Sequence, residues 1–444
     1  MAISTGADSR STANSVYSKR SMRYYTLGIL TLTYSFNFID RQLLSILQEP
    51  IKEELALSDG QLGLLTGFAF ALFYVLAGLP IARMADKGNR RNIISWSIAI
   101  WSGMTAISGL AFNYWQLLAA RIGVGIGEAG CSPPAHSMLS DIFPPQRRAT
   151  ALSIYSTGIN IGILFGFLLG GWLNEFFGWR IAFMVVGLPG ILIAVLMRLT
   201  VAEPRRGFSE NTSPTVTADK TPPSMIYALR LLWSRKSFRH LAFGGALSAF
   251  AGYATTGWFA SFMIRTHGMG TGELGSWLAG ISMLGAIGTL SGGVLADYLG
   301  KHDKRWYLWV PALAAVVIGP FFAIAVMLDN PYDALIVSAL PTFVTTVYVG
   351  CCIAMVHSLV GLRLRALGSA IFFLILNIIG LGLGPLSIGL VSDALEPSLG
   401  VESLRYALVT VVPVIAAWSA LHFLLASRHL PEELAQSPDQ AITG

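Results

Sequence analysis

Apolar runs of roughly 20 residues or more recur about twelve times along this chain, divided by short polar breaks. Six lie at 24–47, 61–82, 92–111, 114–139, 149–174 and 180–199. Six more lie at 240–263, 274–296, 307–328, 333–360, 367–391 and 403–426. At about 1.5 Å of rise per residue, each run crosses a hydrocarbon layer about 30 Å thick as a helix. The pattern predicts an all-α polytopic membrane protein with 12 transmembrane helices in two six-helix bundles.

The strongest break falls near the middle, where Pro, Ser, Thr and charges replace the apolar pattern. It divides the chain into a disordered cytoplasmic tail at 1–21, an N-terminal six-helix bundle at 22–200 and a cytoplasmic linker at 201–239. A C-terminal six-helix bundle at 240–428 and a second cytoplasmic tail at 429–444 follow. Within the linker, residues 224–236 place apolar side chains on one helical face, as an amphipathic helix lying on the membrane surface would. A flexible linker that happens to contain apolar residues is the alternative.

Composition supports the bilayer as solvent, since 54% of the 444 residues are hydrophobic and only 12% are charged. The net charge of +6 acquires meaning once it is placed. With the spans above, about 24 of the 30 lysines and arginines fall on one side and about four on the other. The positive-inside rule makes the rich side cytoplasmic, with both termini inside a plasma membrane or a bacterial inner membrane. Basic residues thus report orientation, and nucleic acid is not an expected partner. The cysteines, Cys131, Cys351 and Cys352, lie in apolar spans and form neither a disulfide framework nor a spaced metal set. The first 21 residues lack an apolar signal core, so the first span is expected to serve as the insertion signal.

An internal repeat relates the halves. Gly78 to Arg91 joins small residues to Asp86, Lys87, Arg90 and Arg91, and Gly292 to Lys301 repeats the arrangement with Asp297 and Lys301. An Asp at a helix end beside a basic cluster can lock one conformation and open in another. These residues are therefore the expected conformational gate. The pattern resembles the loop signature of the major facilitator superfamily, with Gly88-Asn89 departing from the usual order. Gly158, Gly162, Gly166 and Gly170 put a glycine stripe on one face of the fifth span and resemble that family's glycine motif. Gly380, Gly382, Gly384 and Pro385 echo it in the eleventh.

Charges inside the apolar runs carry the chemistry, because each costs about 2.5–3.5 kcal/mol at the bilayer centre. Asp40 and Arg41 lie in the first span, and Arg121 and Glu128 in the fourth. The latter two share a face but stand about 10 Å apart along it, leaving Asp40 as the expected bridging partner. A carboxyl beside an arginine whose distance changes can load and release a proton. A static buried salt-bridge network is the other reading. Arg41 or Arg121 binding an anionic head group is compatible with both.

Gly123-Val-Gly125-Ile-Gly127-Glu128-Ala129, with Asp40-Arg41, resembles the Spinster branch of the superfamily, which is associated with sphingosine-1-phosphate and lysophospholipids. The resemblance implies protonation at Asp40 and Glu128, with Arg121 as the coupling or head-group cation. Spans of the second half contain almost no charge, and an amphipathic substrate suits a cavity charged on one wall and aromatic on the other. Tyr253, Trp258 and Tyr348, with Asn160 and Asn377, are the candidate substrate contacts; ordinary helix packing is the competing reading for each.

No phosphate-binding loop, paired nucleophile and base, or metal-ligand set appears, so neither an enzyme nor a pump is expected, and no cofactor. The expected function is alternating-access, proton-coupled transport of an anionic amphipathic lipid by a monomer, its partners being substrate, protons and membrane lipids. A small organic anion or drug-like molecule is the alternative substrate, and an intramembrane enzyme or a receptor the reading from another class.

Overall fold

The computed structural model describes residues 16–210, 225–360 and 364–435. The outer parts of the two expected tails, at 1–15 and 436–444, lie outside the described residues, as does the linker centre at 211–224.

Among the described residues the secondary structure is helical, with no strand. The first half runs through α1 (Arg20–Leu55), α2 (Asp59–Lys87), α3 (Arg90–Ser108), α4 (Tyr114–Glu128), α5 (Ser132–Ile142), α6 (Pro145–Phe177) and α7 (Trp179–Thr200). A short α8 (Met225–Ser234) follows. Then come α9 (Lys236–His267), α10 (Thr271–Leu299), α11 (Trp306–Met327), α12 (Pro331–Thr345) and α13 (Tyr348–Val360). The last are α14 (Arg365–Leu376), α15 (Gly384–Leu399) and α16 (Ser403–Ala435).

Local chemistry sets these limits. Side chains of Asn89, Asn113 and Asn330 accept hydrogen bonds from backbone N–H groups at the starts of α3, α4 and α12. Ser58 and Gln61 form a reciprocal capping box at the start of α2. Between α6 and α7 the chain turns at Gly178, whose φ of +80° disfavours any side chain.

Each predicted span coincides with a helix or with two consecutive ones. Two spans are broken: the fourth at residues 129–131 between α4 and α5, the tenth at 346–347 between α12 and α13. Among the described residues, seven helical stretches are by length and composition apolar enough to cross a membrane, one of which, Leu367–Ala435, covers the last two spans. The charges of α1 dilute its apolarity, and α4 with its 15 residues falls short of span length on its own.

By contacts the chain divides into two units, residues 1–44 with 73–221, and residues 45–72 with 222–444. The C-terminal part of α1 and the start of α2 thus group with the second half of the sequence.

In the first unit α3 packs against α4 and α7, and α6 packs against α7. The glycine stripe of α6 lies on α1: a Cβ at Gly158 would meet the Thr31 carbonyl oxygen at 2.8 Å, and one at Gly166 would meet Gln42 Cβ at 2.7 Å. Where no apolar force separates helices from lipid, such close backbone approach supplies the packing. The nominal tail and linker are partly built into this unit. Tyr17 is fully buried and donates to the Ala202 carbonyl oxygen at 2.5 Å.

In the second unit α9 and α11 both pack against α16, and α15 packs against α9 and the start of α2. The predicted surface helix is α8. Ala228 and Leu232 are buried in the core that includes Phe238, Val356 and Phe372, while Ile226, Tyr227 and Trp233 face outward. Helical stretches Leu64–Phe68 in α2 and Asn377–Leu383 between α14 and α15 take the wider π form. They touch: a Cβ on Gly67 would lie 2.8 Å from the Gly382 carbonyl oxygen.

Candidate functional site

Consecutive residues of α1 and a two-turn repeat in α4 bring four charges together in the first unit. Arg41 donates to Glu128 Oε2 from Nε at 2.7 Å, and its Nη2 stands 2.7 Å from the same oxygen. Arg121 Nη1 donates to Asp40 Oδ2 at 3.5 Å. Asp40, Arg121 and Glu128 are each no more than 2% exposed, whereas the Arg41 side chain is 16% exposed.

Asp40 meets Arg121, but it does not bridge to Glu128, which is held by Arg41 instead. Two acids and two bases leave the cluster formally neutral, the condition under which buried charges are tolerated. Satisfaction is incomplete: Asp40 Oδ1 and Glu128 Oε1 are buried without a hydrogen-bond partner among the described residues. Each carboxylate thus keeps one oxygen able to take a proton or accept from a ligand.

Aromatic side chains that the sequence reading did not single out flank Arg41. Its guanidinium lies 5.0 Å from the ring centre of Phe38 and 5.3 Å from that of Tyr74. Tyr34 stacks on Tyr155 with centroids 4.5 Å apart. The i, i+4, i+7 spacing of Tyr34, Phe38 and Arg41 on α1 was the available signal. Asn160, another candidate, is half-buried on α6.

Candidates in the second unit are dispersed. Tyr348 is buried and Tyr253 half-buried in one apolar core, and Asn377 opens the π-helical stretch. Trp258 is fully buried and donates from Nε1 to the Pro385 carbonyl oxygen at 2.8 Å, a helix-to-helix bond. Thr342 and Thr345 return their hydroxyls to carbonyls of their own helix.

Gate candidates have unexpected partners. Arg90 is fully buried and ion-pairs with Asp141 and with Glu203, the latter at 2.8 Å. Arg91 donates its backbone N–H to the other Glu203 oxygen at 2.8 Å. Asp86 is exposed. In the second half Asp297 accepts from the Tyr307 hydroxyl, and Lys301 is exposed.

A charged network in the second unit was not anticipated. Arg265, two residues beyond the expected seventh span, pairs with Glu49 at 2.6 Å and with Asp59 at 2.7 Å. Lys52 and Ser392 also reach Asp59, each at 2.6 Å. Asp393 accepts from the backbone N–H groups of Asp59 and Gly60 at 2.8 Å, an anion at a helix N-terminus.

Comparison with known proteins agrees with this architecture. The family model described as Major Facilitator Superfamily matches residues 30–385. An MFS-type efflux pump of Mycolicibacterium smegmatis is 33% identical over 411 residues, covering 92% of this chain and 94% of that protein. A probable galactarate/D-glucarate transporter of Bacillus subtilis is 26% identical, covering 73% of this chain and 76% of that protein. The sphingosine-1-phosphate transporter of Danio rerio is 27% identical, covering 54% and 47% respectively. Among solved structures, an inward-facing, unoccupied bacterial homologue of the human lysosomal transporter Spinster superposes with a TM-score of 0.86 at 32% identity, covering 94% of this chain and 99% of that one. The chain belongs to the major facilitator superfamily of membrane transporters and within it is similar to the Spinster-like proteins.

Proposed function

We propose that the protein is a proton-coupled, alternating-access transporter of an anionic amphipathic lipid of the lysophospholipid or sphingosine-1-phosphate class. The observation that carries this reading is the buried pairing of Arg41 with Glu128 and of Arg121 with Asp40, with one oxygen of each carboxylate left over. Protonating a carboxylate removes its attraction for the arginine. A phosphate head group competing for the same guanidinium does the same from the other side. Arg41, the more exposed arginine, takes the head group, and Arg121 with Asp40 and Glu128 transmits proton occupancy.

Similarity to the Spinster homologue and to the sphingosine-1-phosphate transporter supports the lipid class, and the aromatic residues beside Arg41 suit an amphipath. Asn160, Tyr253, Trp258, Tyr348 and Asn377 remain the proposed substrate contacts. Asp86, Arg90, Arg91, Asp297 and Lys301 remain the proposed gate. The excess of basic residues on one side supports cytoplasmic termini. A small organic anion is the second reading, favoured by the acid-sugar relative and by the guanidinium pair itself.

The test is uptake of labelled lysophospholipid into proteoliposomes under an imposed pH gradient, wild type beside Glu128→Gln. Gradient-driven uptake that the variant loses supports the reading. Equal uptake by both makes Glu128 structural. A folded wild type that ignores the lipid but accumulates a small organic anion replaces the lipid class with the second reading.

A further inference from the structure

Where α8, the first turns of α9 and the end of α16 meet, the second unit forms an open cavity of about 540 Å³. It shares no residue with the charged cluster around Arg41. Lys236, Arg239 and His240 follow i, i+3, i+4 on α9, which puts all three on one helix face. His422 and His429, two turns apart on α16, line the opposite wall. His240 Nδ1 lies 3.0 Å from His422 Nδ1, and the His240 ring stacks on His429 with an interplanar angle of 12°.

This wall is basic, and its neighbouring acid is already engaged. The Glu433 carboxylate accepts from the backbone N–H of Lys236 at 2.7 Å and of Ser237 at 3.1 Å, capping α9. Lys236 and Arg239 make no side-chain ion pair among the described residues. Aromatic rings line one side of the cavity: Trp233 meets Phe243 edge-on at 6.2 Å, and Phe243 lies 5.5 Å from His422.

The surroundings of the cavity narrow the ligand. Ile226, Tyr227 and Leu229 on α8, and Trp418 and Leu421 on α16, are all at least 43% exposed. Basic side chains in a pocket flanked by outward-facing apolar and aromatic ones match a molecule with an anionic head and hydrocarbon chains. We propose that this cavity binds the phosphodiester head group of an anionic membrane phospholipid, whose acyl chains lie along the outer faces of α8 and α16. This lipid is a resident one, distinct from transported substrate.

The test uses the purified full chain in neutral detergent and does not involve transport, so it stands or falls separately from the proposed function. Retention of phosphatidylglycerol or phosphatidylcholine is read by native mass spectrometry, and thermal melting is followed with each lipid. Wild type is expected to retain phosphatidylglycerol and melt several degrees higher with it, but not with phosphatidylcholine. Lys236→Gln combined with Arg239→Gln is expected to lose about tenfold or more of that retention, while melting like wild type in detergent alone. Should the double variant fail to fold, Lys236→Gln alone, at an exposed position, carries the same expectation at smaller size. Retention that is unchanged in the variant, or equal for both lipids, overturns the proposal. A melting shift reproduced in full by inorganic phosphate overturns the lipid assignment and leaves a free-anion site.

Discussion

Arg41 directs both Nε and Nη2 at one oxygen of Glu128, each at 2.7 Å, across 87 positions of sequence. Removing either partner strands the other charge in the interior, which costs about 3–5 kcal/mol. Replacing both by apolar residues of similar size is nearly neutral. Arg41→Ala should therefore melt well below wild type, whereas Arg41→Met with Glu128→Met should recover most of the loss. If the pair is functional, that double variant stays transport-dead despite its recovered stability; thermal melting beside proteoliposome uptake separates the two effects.

The proposed coupling role of Asp40 and Glu128 is tested by neutralising each in turn. Glu128→Gln should lose most of its pH-gradient-driven uptake. Asp40→Asn should do the same while also loosening Arg121. Counterflow exchange without a gradient, measured on the same variants, should fall far less.

The contact of α6 with α1 leaves no room at Gly162, where a Cβ would collide with the Ser35 carbonyl oxygen and with Phe38. Gly162→Ala should destabilise by about 1–3 kcal/mol through overpacking. Gly103→Ala, with nothing within 4 Å of the new methyl, should be neutral or mildly stabilising. Melting temperatures of the two variants check this, and equal behaviour would contradict the packing described for the glycine stripe.

Arg265 holds two carboxylates, Glu49 and Asp59, of which Asp59 is also held by Lys52. Arg265→Ala should cost about 3–5 kcal/mol. Much of that should return on adding Glu49→Gln, because Asp59 keeps its lysine. Arg265→Lys should fall between wild type and Ala, since an ammonium cannot reproduce the forked geometry. A double-mutant cycle on melting free energies measures the coupling.

The long elements were legible because an apolar run of span length has few alternatives in a membrane. Their interruptions were not: the break at residues 129–131 and that at 346–347 leave hydropathy untouched. The four charges were legible as a set, because each is costly where it stands. Which acid meets which arginine was only half legible. Asp40 and Arg41 are adjacent and so point about 100° apart on their helix. The rotation of α1 against α4 therefore decides the pairing, and nothing in local spacing encodes it. Arg265 with Asp59, and Arg90 with Glu203, are more distant still in sequence, and their charges look like ordinary end-of-helix residues until the fold joins them.

The π-helical stretches Leu64–Phe68 and Asn377–Leu383 have a consequence for how this chain tolerates changes in length. A wide turn is an α-helix carrying one surplus residue, so deleting one residue there restores a regular helix. The wide turn takes up that residue within itself, so the helix beyond keeps its bearing when the residue is removed. At Leu64–Phe68 the deletion would leave the remaining turns of α2, with Asp86 near its end, facing as before, whereas a deletion in a regular turn would rotate them by about 100°. The surplus residue therefore works as a reserve of length, and single-residue deletion scanning should find α2 more forgiving at its wide turn than in its regular turns.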